Sequence, residues 1–191
     1  MRYNEISAAN GHHYNDGVGG ADNFSAAGFP WADSDIYGNR ISHVHDDAIE
    51  AEGGNRNVRI WGNHLERVWV AIANAATSTG PLYVWRNVSR NSLGKVFIKA
   101  GSRHPEYNGG RAYYFHNSAP EPGVRGIAPA GGRLYNYVSL NNRFGRERPG
   151  RVEPIPNFND RYARPEPGAD QAGAPPMRFG AEAHTSGRSA H

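Results

Sequence analysis

Residues 34–66 read SDIYGNRISHVHDDAIEAEGGNRNVRIWGNHLE, and they contain one phrase twice. Ile36-x-x-Asn39-x-Ile41 returns as Ile60-x-x-Asn63-x-Leu65, 24 residues later. Outward from that pair the phrase recurs as Val84-x-x-Asn87-x-Ser89, Tyr114-x-x-Asn117-x-Ala119 and Val138-x-x-Asn141, and it opens the chain as Met1-x-x-Asn4-x-Ile6. The flanking runs of Val, Ile, Leu, Tyr and Trp are short, which favours strands. No segment sustains a 3.6-residue apolar period with helix caps. A unit of about 24 residues holding two or three short strands cannot bury its apolar side alone, so successive units must stack.

The recurrent Asn sits between two strand-like runs, preceded by Gly at Gly38 and Gly62. Asn tolerates a left-handed backbone and its amide bonds nearby main chain, so it is expected to form the turn between strands. Stacked copies are also expected to bond one another as an amide ladder. Three runs, Asp47–Ala51, Val68–Asn74 and Lys95–Gly101, are expected to stack as one sheet, the third at an offset of 48 from the first.

The phrases IYGNRI, IWGNHL and VWRNVS, with DDAIEAEGG and NVRIWGN, resemble the right-handed parallel β-helix proteins of the pectate-lyase-like superfold. The resemblance covers residues 1–145 and implies an all-β solenoid of roughly six coils, followed by a Pro/Gly-rich tail over 146–191. It also implies a carbohydrate-active protein acting on a polysaccharide, placed outside the cell or on its surface. A fold of this kind hosts many functions, so activity has to be argued from the site.

Composition sets further bounds. The 191 residues include no cysteine, which excludes disulfides and thiolate metal sites. No apolar run approaches the length of a membrane span, and the N-terminus carries no signal-peptide pattern. No cap over a first coil is legible, so the chain reads as the C-terminal part of a longer solenoid. Residues 16–52 hold eight acids and one Arg, whereas residues 53–145 hold three acids and twelve Lys plus Arg. The basic half, nearly all Arg, suits an acidic polysaccharide. Nucleic acid is not an expected partner, because no binding motif is present and the acidic half repels phosphate. Seven of the 13 prolines fall in 149–176, where ladder strands are forbidden. Val152, Ile155, Phe158 and Tyr162 are candidates for a partial cap over the last coil. In the 21–33 excursion, Phe24, Phe29 and Trp31 are expected to cover a sheet edge.

The densest group of ionisable residues is His45-Asp46-Asp47-Ala48-Ile49-Glu50. With an offset of 31, Asn15-Asp16 falls on Asp46-Asp47. Strand alternation turns Ile49 and Ala51 inward and Ala48, Glu50 and Glu52 outward. The expected site is therefore an outward carboxylate cluster of Asp16, Asp46, Asp47 and Glu50, with His12, His13, His43 and His45 near it. Like charges so close raise at least one carboxyl pKa, which keeps an acid protonated for general-acid work. Glycoside cleavage uses such a pair, and Ca²⁺ is the cation that crowded carboxylates would take.

The resemblance assigns roles. Polygalacturonases carry Asn-x-Asp, then Asp-Asp, then Gly-His-Gly, then Arg-x-Lys along one sheet. Asn15-Asp16-Gly17 is similar to the first motif and Asp46-Asp47 to the second. The third place holds Val70-Ala71-Ile72, without a histidine, and the fourth keeps only Lys99. Asp46 and Asp47 are thus candidate acid and base, with Asp16 assisting. His45, Glu50, Asn15, Lys99 and Arg103 are candidate substrate contacts. Pectate lyases, similar in fold, use Ca²⁺ with an Arg or Lys as base, a role open to Lys99, Arg103 or Arg67. The alternative is a non-catalytic β-helix module that binds glycan or serves a structural role.

Overall fold

Each turn of the chain lays down short strands that pair in parallel with the turns before and after it, as the repeat requires. A computed structural model describes residues 1–9, 11–12, 14–20, 25–102, 105–107, 109–131 and 136–146. The strands are β1 (Glu5–Ser7), β2 (Asp35–Tyr37), β3 (Arg40–Glu50), β4 (Val58–Trp61), β5 (His64–Asn74), β6 (Leu82–Trp85) and β7 (Val88–Arg90). They continue as β8 (Val96–Ala100), β9 (Ala112–Phe115), β10 (Ser118–Ala119), β11 (Arg125–Pro129), β12 (Tyr137–Leu140) and β13 (Arg143–Phe144). One sheet runs β12-β9-β6-β4-β2. The other runs β1-β3-β5-β7-β10-β13, and the C-terminal halves of β3 and β5 extend it into a third face with β8 and β11. The protein is an all-β parallel β-solenoid.

It completes about four turns rather than six. The six Asn phrases are all present, but the outer ones build only part of a coil. Residues 1–20 contribute β1 and isolated bridges at Arg2, Tyr14 and Val18, and the last coil contributes β12 and β13. The 147–191 tail, with its proposed capping residues, lies outside the described residues, as do His13, Phe24 and Arg103.

Apolar residues stack in register between the faces. Ile36, Ile60 and Val84 form one buried row, Ile41 and Leu65 another, and Ile49, Ile72 and Ile98 a third. Each such side chain, fully buried, contributes about 1.5–3 kcal/mol. On the outer side of the five-stranded sheet, Tyr37, Trp61, Trp85 and Phe115 stack with centroids 4.2–5.6 Å apart and planes within 11°. Their ring faces are spent on one another.

The Asn phrase builds the corner between the first two faces. Asn4, Asn39, Asn63, Asn87, Asn117 and Asn142 form a continuous ladder. The backbone N–H and the Nδ2 of each donate to the Oδ1 of the next, at 2.9–3.1 Å. From Asn63 onward, Nδ2 also donates to a carbonyl of the preceding coil, at 2.9–3.0 Å. Two expectations are corrected here. The left-handed residue is not the Asn but the one before it: Tyr3, Gly38, Gly62, Arg86, His116 and Asn141 all have φ of 53–63°. The last rung is Asn142, not Asn141, because Ser139 and not Val138 pairs with Tyr114.

Candidate functional site

β3 enters the third face through an irregularity. Val44 pairs with Val68, but Asp47 pairs with Val70, so two residues of β3, His45 and Asp46, face the single Trp69 of β5. Such a bulge re-aims the side chains around it. On the other flank lies the chain at 14–18. His45 and Asp46 donate their amides to the carbonyls of Tyr14 and Asn15, and Gly17 donates to that of Asp47. A Cβ on Gly17 would lie 2.7 Å from Ala48 O and 2.8 Å from Ile41 Cγ2, so only glycine permits this approach. Asp16 lands beside Asp47 as the offset of 31 requires, and its Oδ1 accepts the Asp47 amide at 3.2 Å. Asn15 Nδ2 donates to Asp16 Oδ2 at 3.1 Å.

Asp47 is 1% exposed. Its Oδ2 accepts a hydrogen bond from Lys99 Nζ, while its Oδ1 has no hydrogen-bond partner among the described residues. The expected offset of 48 is corrected to 49: Ile98 pairs with Ile72 and Lys99 with Ala73, which in turn pairs with Glu50. The small Ala73 therefore lies on the rung between Glu50 and Lys99. Glu52, which the sequence reading left out of the site, is 3% exposed, and its Oε1 accepts the Ala75 amide at 2.8 Å.

Of the expected outward cluster, Asp16 and Asp46 are half-buried, whereas Asp47 and Glu50 are buried, as is Glu52. Glu52 is covered by the excursion, and Asp47 and Glu50 by the chain at 16–19. Gly54 donates to Ser25 O, Phe29 to Glu52 O, and Arg56 to Trp31 O. Phe29 packs on the core, and Gly19 sits against Glu50, where a Cβ would be 2.9 Å from Oε2. Trp31 instead stays exposed, with the Arg56 guanidinium 6.0 Å from its ring centroid.

Burial dominates the electrostatics. It pushes the Asp47 carboxyl up to about 6, against the pull of the Lys99 hydrogen bond and with help from the charges of Asp46 and Asp16. It pushes Glu52 up to about 7, against its bond from Ala75 and the Lys99 charge, with Glu50 and Asp47 adding to the rise. Burial would lower Lys99, but its hydrogen bond and charge pairing with Asp47, and the charge of Glu52, hold the ammonium above its usual range. Two buried carboxyls that titrate near neutrality around one ammonium can store, donate and accept protons. One oxygen each from Asp16, Asp46 and Asp47 lies within 4.8 Å of the others, close enough to share a divalent cation.

Asp16, Asn15, Asp46, Asp47, Glu50 and Lys99 thus come together. His45 is exposed at the bulge, and His43 turns to Ser7, with Nδ1 3.4 Å from Oγ. Arg67 is an exposed residue of the bend, with φ of 53°. The third position along the sheet is the buried run Val70-Ala71-Ile72. The fold and this carboxylate–lysine centre place the chain in the class of parallel β-solenoids. No family model matches it, and no curated protein or solved structure is significantly similar to it.

Proposed function

We propose that this solenoid is a carbohydrate-active protein of the pectate-lyase-like kind that cleaves a glycosidic bond by acid–base chemistry. Asp47 is the proton-transferring acid, Asp46 the partner carboxylate, and Asp16 and Lys99 set the state of Asp47. The observation that carries this reading is the Asp47 carboxyl itself. It is buried, held on one oxygen by Lys99, unpartnered on the other, and titrates at about 6. A carboxyl with such a value is protonated often enough near neutrality to serve a leaving oxygen.

The test is release of reducing ends and of unsaturated uronate from neutral, amino and uronic glycans, with and without Ca²⁺, by the wild type and by Asp47→Asn. Turnover lost in Asp47→Asn supports catalysis at this carboxyl. No turnover by folded wild type, or equal turnover by the variant, sinks it. A second reading, a non-catalytic glycan-binding module, is favoured by the apolar Val70-Ala71-Ile72 in the position where the resembling hydrolases hold a histidine.

A further inference from the structure

Three exposed apolar side chains share the corner that carries the bulge. Tyr14 is 53% exposed, Trp69 52% and Leu93 47%. Their rungs are consecutive: Tyr14 bridges to Val44, Val44 pairs with Val68, and Leu93 donates its amide to Val68 O. Along the solenoid axis the corner therefore presents Tyr14, then His45 and Asp46, then Trp69, then Leu93 and Gly94. Tyr14 and Trp69 stand two strand spacings apart, about 10 Å, with His45 and Asp46 between them.

Trp69 is seated on glycine. Gly94 donates its amide to Trp69 O at 3.1 Å, and a Cβ on Gly94 would lie 3.0 Å from Trp69 Cδ1. The same Cβ would lie closer still to Trp69 O, so any other residue there would push on the backbone that carries the indole. The rings differ from the Tyr37–Trp61–Trp85–Phe115 column in one decisive way. Neither Tyr14 nor Trp69 has a ring partner among the described residues, so their faces remain available. Aromatic faces of this amphipathic kind stack on the apolar C–H faces of sugar rings, with polar groups at the rim for the hydroxyls.

The charges on the same rungs select the sugar. Asp16 follows Tyr14 on the first coil, Asp46 lies between the two rings, and exposed Arg67 and Lys95 lie on the coil of Trp69 and on the next one. A polymer of one sign would meet like charge at one end of the strip, which penalises it. Hydroxyls can donate to the acids and accept from the bases.

We propose that Tyr14 and Trp69 are the stacking platforms of a binding strip that runs along this corner, and that its occupant is a neutral oligosaccharide. The assignment rests on the carbohydrate reading above but not on catalysis. It departs from the acidic polysaccharide that overall charge suggested.

The test titrates neutral hexasaccharides (cello-, xylo- and manno-) and hexagalacturonate into the full chain, followed by calorimetry and tryptophan fluorescence. At least one neutral probe should bind at least tenfold more tightly than hexagalacturonate, with or without Ca²⁺. Trp69→Ala and Tyr14→Ala should each weaken it about fivefold, the order of one aromatic stacking contact. Both rings are exposed, so circular dichroism should not change. Trp31→Ala, at a different corner, should leave binding intact. Equal or tighter binding of hexagalacturonate, no binding of any neutral probe, or indifference to both ring deletions would overturn the assignment. Binding without turnover would sink only the catalytic reading, and turnover indifferent to both deletions would sink only this one.

Discussion

Lys99 Nζ donates a hydrogen bond to Oδ2 of Asp47 across 52 residues of sequence, from a strand that does not pair with that of Asp47. β5 runs between them, with Asp47 opposite its Val70 and Lys99 opposite its Ala73, so the lysine side chain reaches back along the sheet to the carboxylate. The pair joins non-adjacent coils, so it reports both on solenoid packing and on the chemistry of the site.

Replacing Lys99 by Met should leave a buried carboxylate without its cation. Breaking a buried pair is more costly than never having built it. The loss should be about 2 kcal/mol at pH 8, reduced from the usual figure because Lys99 is partly exposed and Asp47 can take up a proton. Without Lys99 the Asp47 carboxyl is pushed further up, so as pH falls toward about 6 the variant's Asp47 takes up a proton and the deficit should shrink. Urea unfolding of wild type and Lys99→Met at pH 5 and pH 8 measures this directly. An equal deficit at both pH values would mean that Lys99 acts through packing alone.

Asp47 and Glu52 also make the wild type pH-dependent. Their folded pKa values, about 6 and about 7, lie above the unfolded values of 3.8 and 4.5. Between those limits the folded state binds more protons than the unfolded state, so stability must fall as pH rises from about 4 to about 7. This contribution is fully present below the unfolded values and lost above the folded ones. Glu52→Gln keeps an Oε1 acceptor for the Ala75 amide and removes the charge. It should be more stable than wild type at pH 8 and close to it at pH 4, with a flatter profile of melting temperature against pH. A profile parallel to that of wild type would remove Glu52 from the titrating centre.

The ladder was legible in the sequence because its chemistry is periodic: Asn39, Asn63 and Asn87 recur at 24 because each bonds the next. The final rung slipped because Asn141 and Asn142 are adjacent, and only pairing of Ser139 with Tyr114 decides between them. The positions of Asp16 and Asp47 were legible from the same kind of spacing. Burial of the cluster was not, since its cover comes from residues 16–19 and 25–31, irregular segments with no period to read. Glu52 was missed for that reason. Lys99 was placed one residue off because the β3 bulge and the uneven loops break the 24-residue spacing locally. Trp69 reads as one more apolar residue in a strand until the corner exposes it.

Asn63 is the most demanding rung. Its Oδ1 accepts from Asn39 N and Nδ2, and its Nδ2 donates to Ile36 O and Asn87 Oδ1, all at 2.9–3.0 Å and fully buried. Asn63→Ala would leave a backbone N–H of Asn39 buried without its acceptor, costing about 3 kcal/mol or more. Asn4→Ala, at the exposed end, should cost under about 1 kcal/mol. Chemical denaturation of the two variants checks the gradient, and similar losses would mean the ladder is not the main support of that corner.

Gly62 tests backbone strain separately from packing. Its φ is 60°, and an added Cβ would meet nothing within 4 Å. Gly62→Ala therefore introduces left-handed strain without a clash, and should cost about 1 kcal/mol. Gly38 is the same corner one coil earlier, with φ of 63°, but a Cβ there would lie 2.5 Å from the Tyr3 ring. Gly38→Ala should cost more, unless the Tyr3 ring swings aside at the solvent-facing first coil. Arg86 and His116 already hold non-glycine residues at φ of 53° and 55° in the same column, so the strain is tolerated where ladder bonds offset it. Thermal melts of Gly62→Ala and Gly38→Ala give the comparison. A Gly62→Ala protein as stable as wild type would show that the ladder bonds, and not glycine, set this corner.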